Sequence, residues 1–395
     1  MEVAEKKKYN GKYLAKPVKE KGWLWKGLLA LGLVVVSVFA SLSLLETVLY
    51  HNSDPGKRDQ EKPVDYAVMD RYDMSMTNTV ANALDGILSI KKVYWLSDDD
   101  QVAPEPNQDN YGKTKDPSTL QWLLDDAEEL LDGQTMYFNT GTTIIPGTEV
   151  NYYLDETILA ITWKQEIGGK CYNISEVKIS HPSQLRRFLA GGEYGSAIQL
   201  TTSEMAASVN AVVASSGDFY KHRMSGVIVY DGAVQRISGK NFDSLFIDED
   251  SNFHFVYAGE ITTRAAAEKF AEEKKIRFSF GFGPVLIDNG ELVDINPNYS
   301  LGEINDYYAR AGIGQIDELH YVLVTVSNEF FGNSAKMKEF ARGAYELGCQ
   351  KFYALDGGQT AVLVMNDKVI NKVVYGSQRR ISDIVYFATA VPEGG

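Results

Sequence analysis

The chain has 395 residues, 44% of them hydrophobic and 23% charged, a balance that fits a folded globular protein. Only two cysteines occur, Cys171 and Cys349, so no disulfide framework holds the fold; one bridge between them and two separate buried thiols are both compatible with that count. The net charge of −14 disfavours long anionic polymers by bulk attraction, and no nucleic-acid partner is expected.

The charge is unevenly spread. Up to residue 45 there are eight lysines and three glutamates, giving +5 and leaving −19 for the remainder. Residues 28–45, LLALGLVVVSVFASLSLL, carry no charge and would cover roughly 27 Å as a helix, close to the hydrocarbon core of a bilayer. Trp23 and Trp25 sit where an interfacial aromatic belt belongs, and Lys26 can reach the head groups. The run exceeds the apolar core of a cleaved signal peptide, for which Ser41-Leu42-Ser43 is the only weak cleavage site. It therefore reads as one membrane-spanning helix over 23–45, with a basic cytoplasmic tail over 1–22 and everything beyond it extracytoplasmic.

Residues 46–64 include HNSDPGKRDQEKP and read as a stalk. An extension follows over 65–134. It holds a helix over 80–90, a strand over 92–96, an acidic loop over 98–116 and an amphipathic helix over 120–131 that starts at Ser118-Thr119. From 135 to 395 short strands dominate: 151–154, 157–163, 171–179, 211–214, 226–230, 244–247, 253–257, 277–280 and 285–287. A short helix, QLRRFLA, is expected after His181-Pro182-Ser183 with Ser183 as its cap. Further helices are expected over 262–274 and 337–347, the last ending at Gly348. Strands and helices mix without βαβ alternation. The fold class is α+β, with mixed, mostly antiparallel sheets and packed helices behind one transmembrane helix.

Four segments place polar groups between apolar strands. They are Ser215-Ser216-Gly217-Asp218-Phe219-Tyr220 with Arg223 after it, Gly281-Phe282-Gly283-Pro284, Arg310-Ala311-Gly312-Ile313-Gly314-Gln315, and Leu355-Asp356-Gly357-Gly358-Gln359-Thr360 followed by Arg379 and Arg380 in GSQRRISDIVYF. Alone, Asp356-Gly357 reads as the turn of a β-hairpin. As an ordered set over about 152–390, ending on an R-x-x-S-D strand, the segments resemble the phosphodiester glycosidase family. That family includes a lysosomal enzyme releasing N-acetylglucosamine from a mannose phosphodiester, and bacterial proteins described as exopolysaccharide biosynthesis proteins. There are two departures: Gln359 stands where the family has a glycine, and Ser216 where it commonly has an asparagine.

The resemblance implies a hydrolase acting on a sugar-1-phosphodiester of a cell-envelope polymer or glycoconjugate. Such chemistry suits paired carboxylates and arginines, because a phosphate is already a good leaving group and arginine binds it through paired hydrogen bonds. The expected pair is Asp218 and Asp356. Arg223, Gly283, Arg310, Gln315, Gly357, Gly358, Gln359, Thr360 and Arg379 are expected to bind substrate or phosphate. Arg379 and Arg380 would point to opposite faces of a strand, so at most one binds ligand. The five histidines lie in no ligand spacing, with only His222 worth watching. Asp248, Glu249 and Asp250 read as a solvated acidic turn. A divalent cation is compatible with the site, and the sequence leaves the need for a metal open. A non-catalytic phosphoglycan-binding protein and an envelope-assembly protein are the alternatives, and the oligomeric state is open.

Overall fold

Long apolar strands buried on both faces cannot alternate polar and apolar residues, so they read as near-continuous hydrophobic runs. The central hairpin of this protein is built that way. In the computed structural model the described residues are 101–116, 119–136, 145, 147–238, 242–295, 304–327 and 334–391, all within the unit Asn78–Gly395. The membrane helix, stalk, helix over 80–90 and strand over 92–96 expected from the sequence lie outside them. No described helix is long and apolar enough to cross a membrane.

In chain order the strands begin with β1 (Tyr111–Thr114), β2 (Val150–Leu154), β3 (Ile158–Ile167), β4 (Lys170–Ile179), β5 (Leu185–Leu189) and β6 (Val213–Ser216). Next come β7 (Gly226–Tyr230), β8 (Ala233–Ser238), β9 (Ser244–Asp248), β10 (Phe253–Val256), β11 (Ile276–Phe280), β12 (Val285–Asp288) and β13 (Glu291–Leu292). The last are β14 (Arg310–Asp317), β15 (His320–Val326), β16 (Lys351–Leu355), β17 (Leu363–Met365), β18 (Lys368–Val369) and β19 (Asp383–Phe387). The helices are α1 (Thr119–Asp126), α2 (Glu128–Leu131), α3 (Thr202–Ser208), α4 (Arg264–Glu273) and α5 (Met337–Glu346).

Among the described residues the strands form sheets of nine (β1-β2-β3-β4-β15-β14-β16-β12-β13), five (β18-β17-β6-β19-β5), three (β10-β9-β11) and two (β7-β8), and every pairing is antiparallel. The α+β expectation with mostly antiparallel sheets is met here. β3 and β4 pair from Ile158↔Ile179 to Ile167↔Lys170. Their turn is Gly168-Gly169, both at positive φ (57° and 74°), as a tight hairpin of this twist requires.

The nine-stranded sheet separates two apolar layers. On one face Trp163, Ile174, Val324 and Phe352 pack with Leu120, Leu123 and Phe340 of the helices. On the other, Val177, Ile313, Leu323 and Tyr353 pack with Leu363, Val385 and Phe387 of the five-stranded sheet and Phe253 and Phe280 of the three-stranded one. β16 and β17 thus sit in different sheets, so Asp356-Gly357 is not a hairpin turn. It is a crossing between layers.

Three other expectations need correction. Within the acidic loop, Tyr111–Thr114 is a strand, because Tyr111 packs on Tyr153 (ring centroids 4.5 Å apart) and its backbone pairs with β2. The helix over 120–131 breaks at Ala127 (φ −91°, ψ 11°) into two pieces. QLRRFLA is not a helix: Pro182–Gln184 form a 3-10 turn capped by His181 rather than Ser183, and β5 follows. Alternation there points Leu185, Arg187 and Leu189 inward, and the partner strand β19 overrides local helix propensity. The sequence also held an unused signal for α3: Thr201 and Glu204 form a capping box.

Gly343 of α5 lies against the Tyr172 ring. A Cβ there would sit 2.2 Å from Tyr172 Cζ, and that ring is fixed by burial and by its hydroxyl donating to the Glu339 carbonyl (2.8 Å). Alanine favours a helix over glycine by about 1 kcal/mol, yet overpacking costs about 1–3 kcal/mol. Gly343→Ala is therefore expected to destabilise the protein by about 1 kcal/mol in urea unfolding; a gain in stability would contradict this packing.

Candidate functional site

Two backbone-directed bonds build the site. Asp356 N–H donates to the Gly217 carbonyl (3.0 Å), and the Ser216 hydroxyl donates to the Asp356 carbonyl (3.0 Å). They tie the end of β16 to the end of β6 and set Asp356 beside Asp218. Gly217 has no room for a side chain, since a Cβ would lie 2.4 Å from Asp383 Oδ2 and 3.0 Å from the Asp383 carbonyl oxygen.

Asp383, at the start of β19, is the hub beneath. Its Oδ2 meets Arg187 Nε (2.8 Å) and Nη2 (2.7 Å), and both side chains are fully buried. The same carboxylate accepts the Asp218 N–H (3.0 and 3.1 Å). Arg187 also donates to the Ser279 carbonyl, and its guanidinium lies over Phe280 (4.6 Å). Burial pushes the Asp383 carboxyl above its ordinary range; Arg187 and the Asp218 N–H pull it back, while the Asp218 charge adds to the rise. In the sequence Asp383 stands only as the last residue of the R-x-x-S-D strand, with nothing local to mark it as a hub. Arg187 is hidden in the sequence because its segment has the composition of a helix.

Above this hub Asp218 accepts the Gly281 N–H, which brings in the 281–283 bend. Gly283 sits at φ 68°, a conformation that a side chain disfavours. Arg223 donates to the Gly281 and Phe282 carbonyls and to the Ser225 hydroxyl, with its guanidinium over Phe242 (4.2 Å) and Phe282 (4.5 Å). It supports the bend, and its charge still acts on Asp356.

Arg379 Nη2 meets Asp356 Oδ2 at 3.0 Å and its guanidinium lies over the Phe219 ring (4.9 Å). Arg380 turns the other way, to the Gln199 carbonyl and Glu204. Burial raises the Asp356 carboxyl to about 6. Arg379, the Thr360 hydroxyl and Arg223 hold it down, and the Asp218 charge pushes it up. Gly358 N–H bonds the Ala309 carbonyl (2.8 Å), and Gly357 lies so close to that carbonyl that a Cβ would meet it at 2.6 Å. Thr360 closes the turn onto the Gly357 carbonyl. His222 stacks on Phe219 (4.9 Å) beside Gln199.

Asp218, Asp356, Arg223, Gly283, Gly357, Gly358, Thr360 and Arg379 are thus gathered. Three expected residues are placed otherwise. Gln315 faces Phe253 and Asn252 with its amide (3.0 and 3.2 Å) and pairs with Lys351, at the far end of β16, about 13 Å from Leu355 at strand rise. It satisfies buried backbone. Arg310 begins β14 next to the glycine turn, but its guanidinium donates to the Ala335 and Asp306 carbonyls ahead of α5. The Gln359 amide donates to the Ser377 carbonyl (3.0 Å) and hydroxyl (3.3 Å), pinning the glycine turn to the segment that carries Arg379. Among the described residues no set of three or more His, Cys, Asp or Glu side chains is disposed to hold a metal ion. Asp248 instead bonds His254 (2.7 Å), and Glu249 pairs with Lys275.

Residues 209–388 match the family model described as phosphodiester glycosidase. The resemblance to that family read from the sequence is thus met over this span. Asp218, Asp356, Arg379 and Asp383 fall within the matched span; Arg187 precedes it. The domain's structure is similar to the catalytic domain of zebrafish N-acetylglucosamine-1-phosphodiester alpha-N-acetylglucosaminidase, auto-inhibited by its pro-peptide, at 17% identity over 65% of this chain and 86% of that one (TM-score 0.47). It is also similar to a hypothetical protein from Synechocystis at 16% identity over 60% of this chain (TM-score 0.42), of which it spans 63% of the length. No curated protein matches the chain.

The two buried aspartates should respond to the same substitution with opposite signs. Asp383→Asn leaves the Arg187 charge buried against a neutral partner and should cost about 3–5 kcal/mol in urea unfolding; a neutral effect would remove Asp383 from the hub. Asp356 loses its proton near the ordinary 3.8 when unfolded and near 6 when folded. Between those values the folded state holds the extra proton, so this group's contribution falls as pH rises and is fully unfavourable above about 6. Asp356→Asn should therefore stabilise by on the order of 2–3 kcal/mol at pH 7.5 and by nothing near pH 4. A stability difference independent of pH would refute the shift.

Proposed function

We propose that this chain is a membrane-anchored, extracytoplasmic phosphodiester glycosidase that hydrolyses a sugar-1-phosphodiester in a cell-envelope glycopolymer or glycoconjugate. The observation that carries this reading is the buried Asp356 carboxyl, poised near 6 between Arg379 and Asp218. A base works best with its proton affinity close to the working pH. The 28–45 apolar run and the lysines before it support the anchor and its orientation.

In this scheme Asp356 takes a proton from water as the water oxygen bonds the anomeric carbon. The bond from that carbon to the phosphate oxygen breaks, and its electron pair leaves with the phosphate as a monoester. No acid is needed to protonate so stable a leaving group. Asp218, fixed by the Gly281 N–H and by its own N–H on Asp383, would stabilise positive charge building on the sugar ring. Arg379 is half exposed and would neutralise the departing phosphate while it holds Asp356. Bare arginine-to-phosphate attraction has to come from such local groups, because the bulk of the protein is acidic.

The test is sugar release from a synthetic sugar-1-phosphodiester by the full-length protein. Asp356→Asn should lower kcat/KM by roughly 10²–10⁴-fold with folding intact. The acid limb of the kcat/KM profile should fall near pH 6 in the parent and move upward in Arg379→Ala, which loses the cation holding Asp356 down. Absence of turnover in the parent, with glycan binding retained, would replace the hydrolase by a phosphoglycan-binding protein.

A further inference from the structure

Behind the aspartate cluster lies a second concavity with a different character. It is a cavity of about 750 Å3 between β5, the tip of the β7–β8 hairpin and the start of β11. Arg187, the ion-pair partner of Asp383, is also part of its lining. Arg186 and Tyr386 are register partners on the side of β5 and β19 opposite to Arg187 and Asp383, and both line it. Its volume is within the range of sites that enclose small ligands.

The lining settles what kind of ligand suits it. Its cations are already committed to protein acceptors. Arg186 donates to the Tyr386 hydroxyl (3.1 Å) and the Ser183 carbonyl (3.5 Å), and Arg277 to the Pro182 and Leu185 carbonyls (3.2 and 3.4 Å). Lys275 pairs with Glu249. Glu193 and Asp231 also border the cavity, so positive charge is not concentrated there, and a phosphate gains little. The wall offers instead the rings and hydroxyls of Tyr194 and Tyr230 and the side-chain amides of Gln101 and Gln235. Tyr194 is braced by stacking on Tyr220 (5.1 Å), and the Gln101 amide is oriented by donating to the Gly192 carbonyl (3.0 Å). Flat rings with polar tips, planar amides and carboxylates fit a molecule that has apolar C–H faces and many neutral hydroxyls.

We propose that this cavity is a binding site for a neutral oligosaccharide segment, distinct from the Asp218–Asp356 site and divided from it by Arg187. Binding here does not depend on turnover at Asp356. The two sites share one wall: Tyr194 stacks on Tyr220, and Tyr220 packs on the Arg187 guanidinium (5.5 Å).

The experiment is calorimetric titration of the full-length protein with a panel of neutral disaccharides (cellobiose, maltose, N,N′-diacetylchitobiose), and with inorganic phosphate as a separate titrant. At least one disaccharide should bind saturably. Tyr194→Ala should weaken it at least tenfold, as should Gln235→Ala, a second variant on a different element that removes an amide rather than a stacked ring. Asp356→Asn should leave it unchanged, and phosphate should not compete. The proposal fails if no disaccharide saturates, if phosphate displaces the sugar, or if Asp356→Asn abolishes binding while Tyr194→Ala and Gln235→Ala retain it. A protein that binds disaccharide but hydrolyses no sugar-1-phosphodiester would sink the hydrolase alone and leave this site standing.

Discussion

The buried contact between Arg187 and Asp383 is the constraint on which the rest of the site depends. Two opposite charges without solvent are costly to assemble, and they persist only when each is also hydrogen-bonded. Asp383 meets that need by accepting the Asp218 N–H, and Arg187 by donating to Ser279. Each supporting bond therefore pulls a different strand end toward one point: β6 through Asp218, β11 through Ser279, β5 and β19 through the pair itself. The carboxylates above have their positions dictated from below.

That arrangement also explains how neighbouring aspartates acquire different characters. Asp383 has its cation permanently, in a place water does not reach. Asp356 has a cation that is itself half exposed, so its hold on the proton is set by burial on one side and an adjustable arginine on the other. Asp218 is anchored at both ends, by its own N–H to Asp383 and by the Gly281 N–H to its carboxylate. Identical side chains thus become a strut, a titrating group and a fixed charge through environment alone.

Most strands were legible because apolar runs and Gly or Asn turns mark them locally, and α5 because its apolar stripe ends at Gly348 (φ 79°). Asp218, Asp356 and Arg379 were legible as polar residues at strand ends. What stayed hidden was decided by partners distant in sequence. Leu185–Leu189 has a composition a helix would accept, and only β19, nearly two hundred residues later, makes it a strand. Gln315 looked like a site residue because it stands in a motif, yet alternation along β14 turns it to a buried backbone N–H at the other end of the sheet. Gln359 was legible as a departure from the family; its bond to Ser377 could not be.

The crossing at Asp356 has a kinetic consequence. Leu355 ends a strand of one sheet and Leu363 begins a strand of another, so the residues between them have no defined place until both layers have docked. Contacts at this point join segments near positions 187, 217, 281, 356 and 383, and such long sequence separations form late when loop-closure entropy governs the order of events. The aspartate cluster is accordingly among the last features of this domain to appear as it folds, and no single sheet carries it alone.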